Sequence, residues 1–217
     1  MGLFLLNEFY DLRITNFVDK EYAFCELPDD MHATEPSPKC PKCGSAIGKL
    51  RCAEPIKVIL SKPKYGDFVY GLELLVSDKF KNAYENDNIK GITKFKHVDV
   101  IKIRYLGKKS LLPPPYYAIE VVYRYARIDL QKSNIKGSEI SSRYCDLCYP
   151  FRFSWDEINS IYIDDTNWAG EDIFHMHEMG SAIYLSQKFV NFCKKNELTN
   201  LKCINTKEFL LPPLMFR

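Results

Sequence analysis

Eight cysteines in a chain of 217 residues constrain this sequence more than any other feature. Four of them form two C-x-x-C pairs: Cys40-Pro41-Lys42-Cys43, followed by Gly44, and Cys145-Asp146-Leu147-Cys148. Cys25, Cys52, Cys193 and Cys203 stand alone. The N-terminal run Met1–Leu6 lacks a basic flank and meets Asn7 and Glu8 at once, so no secretory signal is expected. A cytoplasmic setting with reduced thiols follows as the expectation, and reduced cysteines serve as metal ligands, redox groups or buried packing residues.

A C-x-x-C-G turn presents two thiolates on one side of a tight loop, with glycine admitting the positive φ such a turn needs. One pair fills two corners of a tetrahedron, and a second pair completes the all-thiolate set typical of structural zinc. Cys40, Cys43, Cys145 and Cys148 are therefore the expected Zn2+ ligands. With roughly a hundred residues between the pairs, the ion would staple an N-terminal loop to a mid-chain loop. Four thiolates leave no open coordination position, so the expected role is structural and not catalytic. The redox alternative wants a strand before the motif and a helix after it, whereas Cys40 follows the loop-like Glu35-Pro36-Ser37-Pro38. Cys52 is a further ligand candidate, although an isolated cysteine is more often a small buried hydrophobe.

The second constraint is an internal echo. Leu75-Val76-Ser77-Asp78-Lys79-Phe80 returns 109 positions later as Tyr184-Leu185-Ser186-Gln187-Lys188-Phe189. In each copy an apolar strand ends at a serine placed to N-cap a helix. Phe80, Ala83 and Tyr84 then mark an apolar helical stripe, as do Phe189, Phe192 and Cys193. Each unit is later followed by a Leu-Pro-Pro stop, at 112–114 and 211–213. Strand, Ser-capped helix, strand and proline-rich exit thus read as a duplicated unit. Phe68–Leu75, Phe95–Tyr105 and Tyr116–Arg127 also favour strands. The expected class is α+β, with antiparallel sheets and two halves, 1–115 and 116–217, tied by the four-cysteine site as two units or as one continuous domain.

With knuckles and echo in order, the chain resembles the double-CXXCG-motif proteins, bacterial immunity proteins grouped with antitoxins of contact-delivered polymorphic toxins. CPKCG at 40–44, CDLC at 145–148 and the run Gly170-Glu171-Asp172-Ile173-Phe174 leading to Ser186-Gln187-Lys188-Phe189 carry the likeness. Tyr149 stands where the family name implies glycine; ligation needs the sulfurs, so the metal expectation is unaffected. The resemblance implies a non-catalytic protein that binds and neutralises a cognate protein toxin.

Charge suggests where. Between Arg152 and Lys188 no Lys or Arg occurs, and seven acidic residues give a local charge of −7. An acidic surface steers a basic partner, and aromatic residues anchor such contacts. Asp164, Asp165, Trp168, Glu171 and Asp172 are the expected partner-binding residues, with Trp155, Tyr162 and Phe174 as further aromatic candidates. Two oppositely charged solvated faces would give the same pattern.

Other classes find less. The formal net charge is +2, and no apolar run approaches the roughly 18 residues of a membrane span. No phosphate-cradling glycine loop, nucleophile elbow or H-E-x-x-H occurs. His175 and His177 would share a strand face as a metal or acid/base pair, but without an identifiable third ligand they read as loop. A zinc-ribbon nucleic-acid binder is the alternative, using Lys90, Lys94, Lys96, Lys102, Arg104, Lys108 and Lys109 against phosphates.

Overall fold

The computed structural model describes residues 7–14, 21–28, 34–47, 51–71, 73–105, 107, 111–124, 126–135, 137–138, 145, 152–153, 160–166, 168–176 and 182–208. The first strands in chain order are β1 (Phe9–Arg13), β2 (Cys25–Glu26), β3 (Thr34–Glu35), β4 (Arg51–Cys52), β5 (Ile56–Leu60), β6 (Phe68–Val69) and β7 (Leu75–Ser77). Helix α1 (Asp78–Asn86) follows, then β8 (Ile92–Ile103), β9 (Tyr116–Val121), β10 (Tyr123–Arg124), β11 (Arg127–Ile128), β12 (Gly137–Ser138) and β13 (Arg152–Phe153). The chain continues through β14 (Ile163–Asp164), β15 (Ile173–Met176), β16 (Tyr184–Ser186), helix α2 (Gln187–Lys195) and β17 (Lys202–Asn205).

Two sheets carry the architecture, one ordered β2-β5-β8-β9-β7-β6 and the other β10-β15-β16-β1-β17. Pairing is antiparallel except for β5 with β8 and β10 with β15. The α+β class with mostly antiparallel sheets therefore stands. Two strands cross the expected boundary at 115/116: β9 completes the sheet of the first half, and β1 lies between β16 and β17 in the second.

The serine caps form as expected. Ser77 and Ser186 hold nearly the same extended backbone, φ −72°, ψ 163° and φ −76°, ψ 162°. Each Oγ accepts the N–H three residues on, from Phe80 and from Phe189, at 3.2 Å. This satisfies one of the donors a helix start leaves open. Both helices are nine residues long, short enough that packing and not propensity must hold them. That packing is aromatic: Phe80 meets Phe68 at 5.1 Å, Phe192 at 5.8 Å and Phe189 at 6.2 Å between ring centroids. The core around them takes Val76, Ile119 and Val121 from one sheet and Ile173 and Leu185 from the other.

The sheet neighbours of the two helices also correspond. Phe68 faces Val76 across β6 and β7, as Ile173 faces Leu185 across β15 and β16. Ser77 faces Tyr116 of β9, as Ser186 faces Phe9 of β1. The second proline stop, 211–213, lies outside the described residues.

Two expected strands are broken. Phe68–Leu75 divides between β6 and β7, which pair antiparallel. Tyr116–Arg127 divides because the chain changes sheets at Val122: its N–H donates to Gly91 O, while its carbonyl accepts from His175 N in the other sheet.

Candidate functional site

The Cys40 knuckle is a turn closed by its own backbone. Gly44 N donates to Cys40 O at 2.9 Å, Cys40 N to Ser45 O at 2.8 Å, and Lys39 bridges Ala46. Gly44 has φ +73°, the left-handed conformation glycine adopts without penalty; a Cβ there would meet nothing within 4 Å, so conformation and not space requires the glycine.

Onto this turn the fold brings Cys145. The Sγ atoms of Cys40, Cys43 and Cys145 all lie within 4.8 Å of one another, and those of Cys40 and Cys145 are 3.7 Å apart. A tetrahedral ion with Zn–S bonds of about 2.3 Å would set its sulfurs ~3.8 Å apart. Cys40 is buried, Cys145 half-buried and Cys43 exposed, with the Cys43 thiol bonded to Ser45 Oγ. Three thiol ligands thus converge in a geometry compatible with a metal. Cys148, the fourth expected ligand, lies outside the described residues. Cys52 packs in the core beneath the six-stranded sheet with Ile56, Val58 and Tyr116.

A buried cation fastens the knuckle hairpin to the sheet. Lys96 Nζ on β8 reaches Glu35 at 2.6 Å, Glu120 at 2.9 Å and Cys52 O at 3.0 Å, while Arg51 pairs with Glu120 at 2.5 Å. Burial disfavours the Lys96 charge, but its bonds to Glu35 and Glu120 outweigh that and hold its pKa above the usual lysine value. The bond from Lys96 in turn draws Glu35 below the usual carboxylate range. No sequence pattern announces this network, because its members lie on four separate strands.

The expected partner-binding residues divide by exposure. Asp164 is exposed, and Asp165 is half-buried, accepting Asn7 Nδ2 at 2.7 Å. The Trp168 ring stands edge-on to Phe9 at 5.1 Å, its Nε1 donating to Glu171 O at 3.0 Å. Glu171 and Asp172 are buried. Asp172 Oδ1 accepts Ser186 Oγ at 2.8 Å, and Oδ2 accepts Lys90 N at 2.9 Å and pairs with Lys188 at 3.3 Å. Trp168, Gly170 and Asp172 line an open cleft of about 320 Å3, whose other walls include Glu8, Asn88 and Lys90. Sequence reasoning did not associate the last three with Trp168, since they come from distant parts of the chain.

His175 sits on β15 and not in a loop: it is buried, its Nδ1 is 2.8 Å from Ala182 O, and its ring stacks on Tyr123 at 4.6 Å. His177, Trp155, Lys108 and Lys109 lie outside the described residues. In the basic segment, Lys94 pairs with Glu54, Lys96 with Glu35 and Glu120, and Arg104 with Glu26. Those cations are engaged by carboxylates of the same chain, and the nucleic-acid alternative gains no support. Among the described residues no helix is long and apolar enough to cross a membrane.

Comparison with known proteins gives a family. No curated protein matches the chain. A model of the immunity protein family Imm11 matches residues 53–208, a range that holds both capped helices, the Gly170–Phe174 run and the second cysteine pair, and begins beyond the first. On that match, which spans well over half its length, the chain belongs to the immunity protein family Imm11.

Proposed function

We propose that this protein neutralises a cognate bacterial toxin in the cytoplasm by binding it and occluding its working surface, without chemistry of its own. Membership of the immunity protein family over residues 53–208 is the observation that carries the reading. The recognised residues suit an inert scaffold: capped helices, a paired buried lysine and a thiolate cluster serve cohesion.

In this reading Cys40, Cys43, Cys145 and Cys148 hold one structural Zn2+, which fixes the knuckle loop against the middle of the chain. The convergence of the first three sulfurs supports it. The matching registers around α1 and α2 support a duplicated unit, with β1 doing for the second copy what β9 does for the first. The acidic rim of exposed Asp164 and half-buried Asp165, with Trp168 beside it, is the proposed docking region, and the Glu171 carbonyl holds the Trp168 ring in place. The toxin would present basic side chains to the rim.

Co-expression with the toxin encoded beside this chain's gene tests the proposal. Growth of a toxin-sensitive host is the expected result, and unrelieved toxicity with the immunity protein present at equal level overturns it.

A further inference from the structure

Resting on the partner-binding reading above, we propose that the cleft beside Trp168 receives a polar loop of the toxin, gripped between Lys90 and Asn88 on one side and Glu8 on the other.

Two settings in the fold match in their framework. At α2, Ser186 caps the helix and donates to Asp172, while Lys188 pairs with Asp172 and donates to Asn88 O. At α1, Ser77 caps the helix and donates to Asp67, while Lys79 lies 3.8 Å from Asp67 and donates to Glu197 O. Serine, aspartate and lysine are the same in both, so they build the scaffold and do not distinguish the two places.

What differs is what surrounds them. The strand registers put Pro114 and Pro115 where the cleft has Asn7 and Glu8, and Tyr65 where it has Gly170. Tyr65 is half-buried, its hydroxyl bonded to Leu111 O at 2.8 Å. On the cleft side that volume is open: a Cβ on Gly170 would meet nothing within 4 Å. The helix numbering likewise replaces Asp78 with Gln187, Glu197 with Asn88, and Thr199 with Lys90. Two carboxylates become amides and a hydroxyl becomes an ammonium, while Glu8 stands where the other setting has Pro115, so the open cleft carries groups of both signs.

The lining selects a polar polypeptide segment. Asp172 is already occupied by Ser186, Lys90 N and Lys188 and offers nothing to a ligand. The Lys90 ammonium, the Asn88 amide and the Glu8 carboxylate, whose Oε2 accepts Tyr10 OH at 3.1 Å, belong to exposed residues of the lining. They supply donors and acceptors, the complement of peptide groups and amide side chains. The Trp168 ring adds the aromatic wall common at protein hot spots. A volume of about 320 Å3 lies at the small end of ligand clefts, enough for a loop tip but not a helix.

The test uses Asn88→Trp, which fills the cleft, and Lys90→Glu, which reverses its charge while keeping the backbone bond to Asp172. Lys57→Glu, exposed on β5, is the control. Calorimetric titration with the catalytically inactivated toxin encoded beside the gene gives affinities, and thermal melts establish folding. We expect both cleft variants to melt like the wild type and bind at least about tenfold more weakly, with the control within about twofold. Wild-type affinity in both cleft variants overturns the cleft proposal and leaves the partner-binding reading standing. No binding by the wild-type chain overturns that reading, and this one with it. If Asn88→Trp alone melts early, Lys90→Glu decides.

Discussion

The Asp67 carboxylate accepts both the backbone N–H and the hydroxyl of Thr199, each at 2.8 Å, across 132 positions of chain. The same carboxylate accepts Ser77 Oγ at 2.6 Å, so one buried side chain fixes the start of α1 and the exit from α2. Asp172 makes the reciprocal clasp, taking Ser186 Oγ at the start of α2 and Lys90 N after α1. Each helix is thereby held at its beginning by a residue that also holds the other helix at its end.

Asp67→Ala strands the Ser77 hydroxyl and the Thr199 N–H without their acceptor. Buried donors left unpaired cost about 1–3 kcal/mol each, so we expect a loss of about 3 kcal/mol in urea unfolding, with Asp172→Ala comparable. Because both carboxylates hold both helices, the double variant should lose less than the sum, as coupled sites do.

Lys96→Met removes the cation between Glu35 and Glu120, taking the Lys96 bond from Glu35 and leaving Glu120 paired with Arg51. Breaking a buried pair from one side costs about 3–5 kcal/mol, and we expect the lower figure because Glu35 is partly exposed. Denaturant unfolding gives the value, and faster amide exchange confined to 34–47 and 51–52 would show the hairpin loosening first.

Acidification should act through the same pair. Glu35 is held below its unbonded value near 4.5 by Lys96, and Asp87 below 3.8 by the bond from Lys195. A carboxyl lowered on folding contributes stability that is present above its unfolded pKa and is lost as pH falls through the folded one. Melting temperature should therefore hold from neutrality to about pH 4.5 and then fall. Burial raises Asp11 despite Arg13, and its effect runs oppositely, sparing some of the loss. Thermal melts from pH 7 to 3 check this, and Lys96→Met should show a shallower acid decline than the wild type.

Metal removal gives the fourth expectation. Protein purified without chelator should carry about one zinc per chain by elemental analysis, and Cys40→Ser or Cys145→Ser should lose it. Chelation should lower the melting temperature of the wild type and leave the serine variants unmoved. A chain free of metal and indifferent to chelator would remove the zinc assignment.

The local features were legible in the sequence and the distant ones were not. Ser77 and Ser186 announced their helices because a cap and an apolar stripe are encoded within a few residues. The C-x-x-C pairs announced a cysteine cluster because paired soft ligands close in sequence suit a metal, and Cys40, Cys43 and Cys145 do converge. Asp172 read as part of an acidic surface because charge along a sequence says nothing of burial, and its partners Lys90 and Ser186 come from separate segments. Lys96 read as one of a basic stripe for the same reason. Tyr116–Arg127 read as one strand because alternation persists through Val122, where the backbone changes sheets. The cleft had no local signature at all, since Glu8, Lys90 and Trp168 meet only in the fold.

Protection as proposed comes from occupancy and not from chemistry. The most direct measurement isolates the complex of this protein with the wild-type toxin encoded beside it, separates the two under denaturing conditions, and examines the toxin. We expect a stoichiometric complex from which the toxin emerges with unchanged mass and regains full activity on refolding. A toxin recovered covalently altered, or silenced by substoichiometric amounts of this protein, would contradict it.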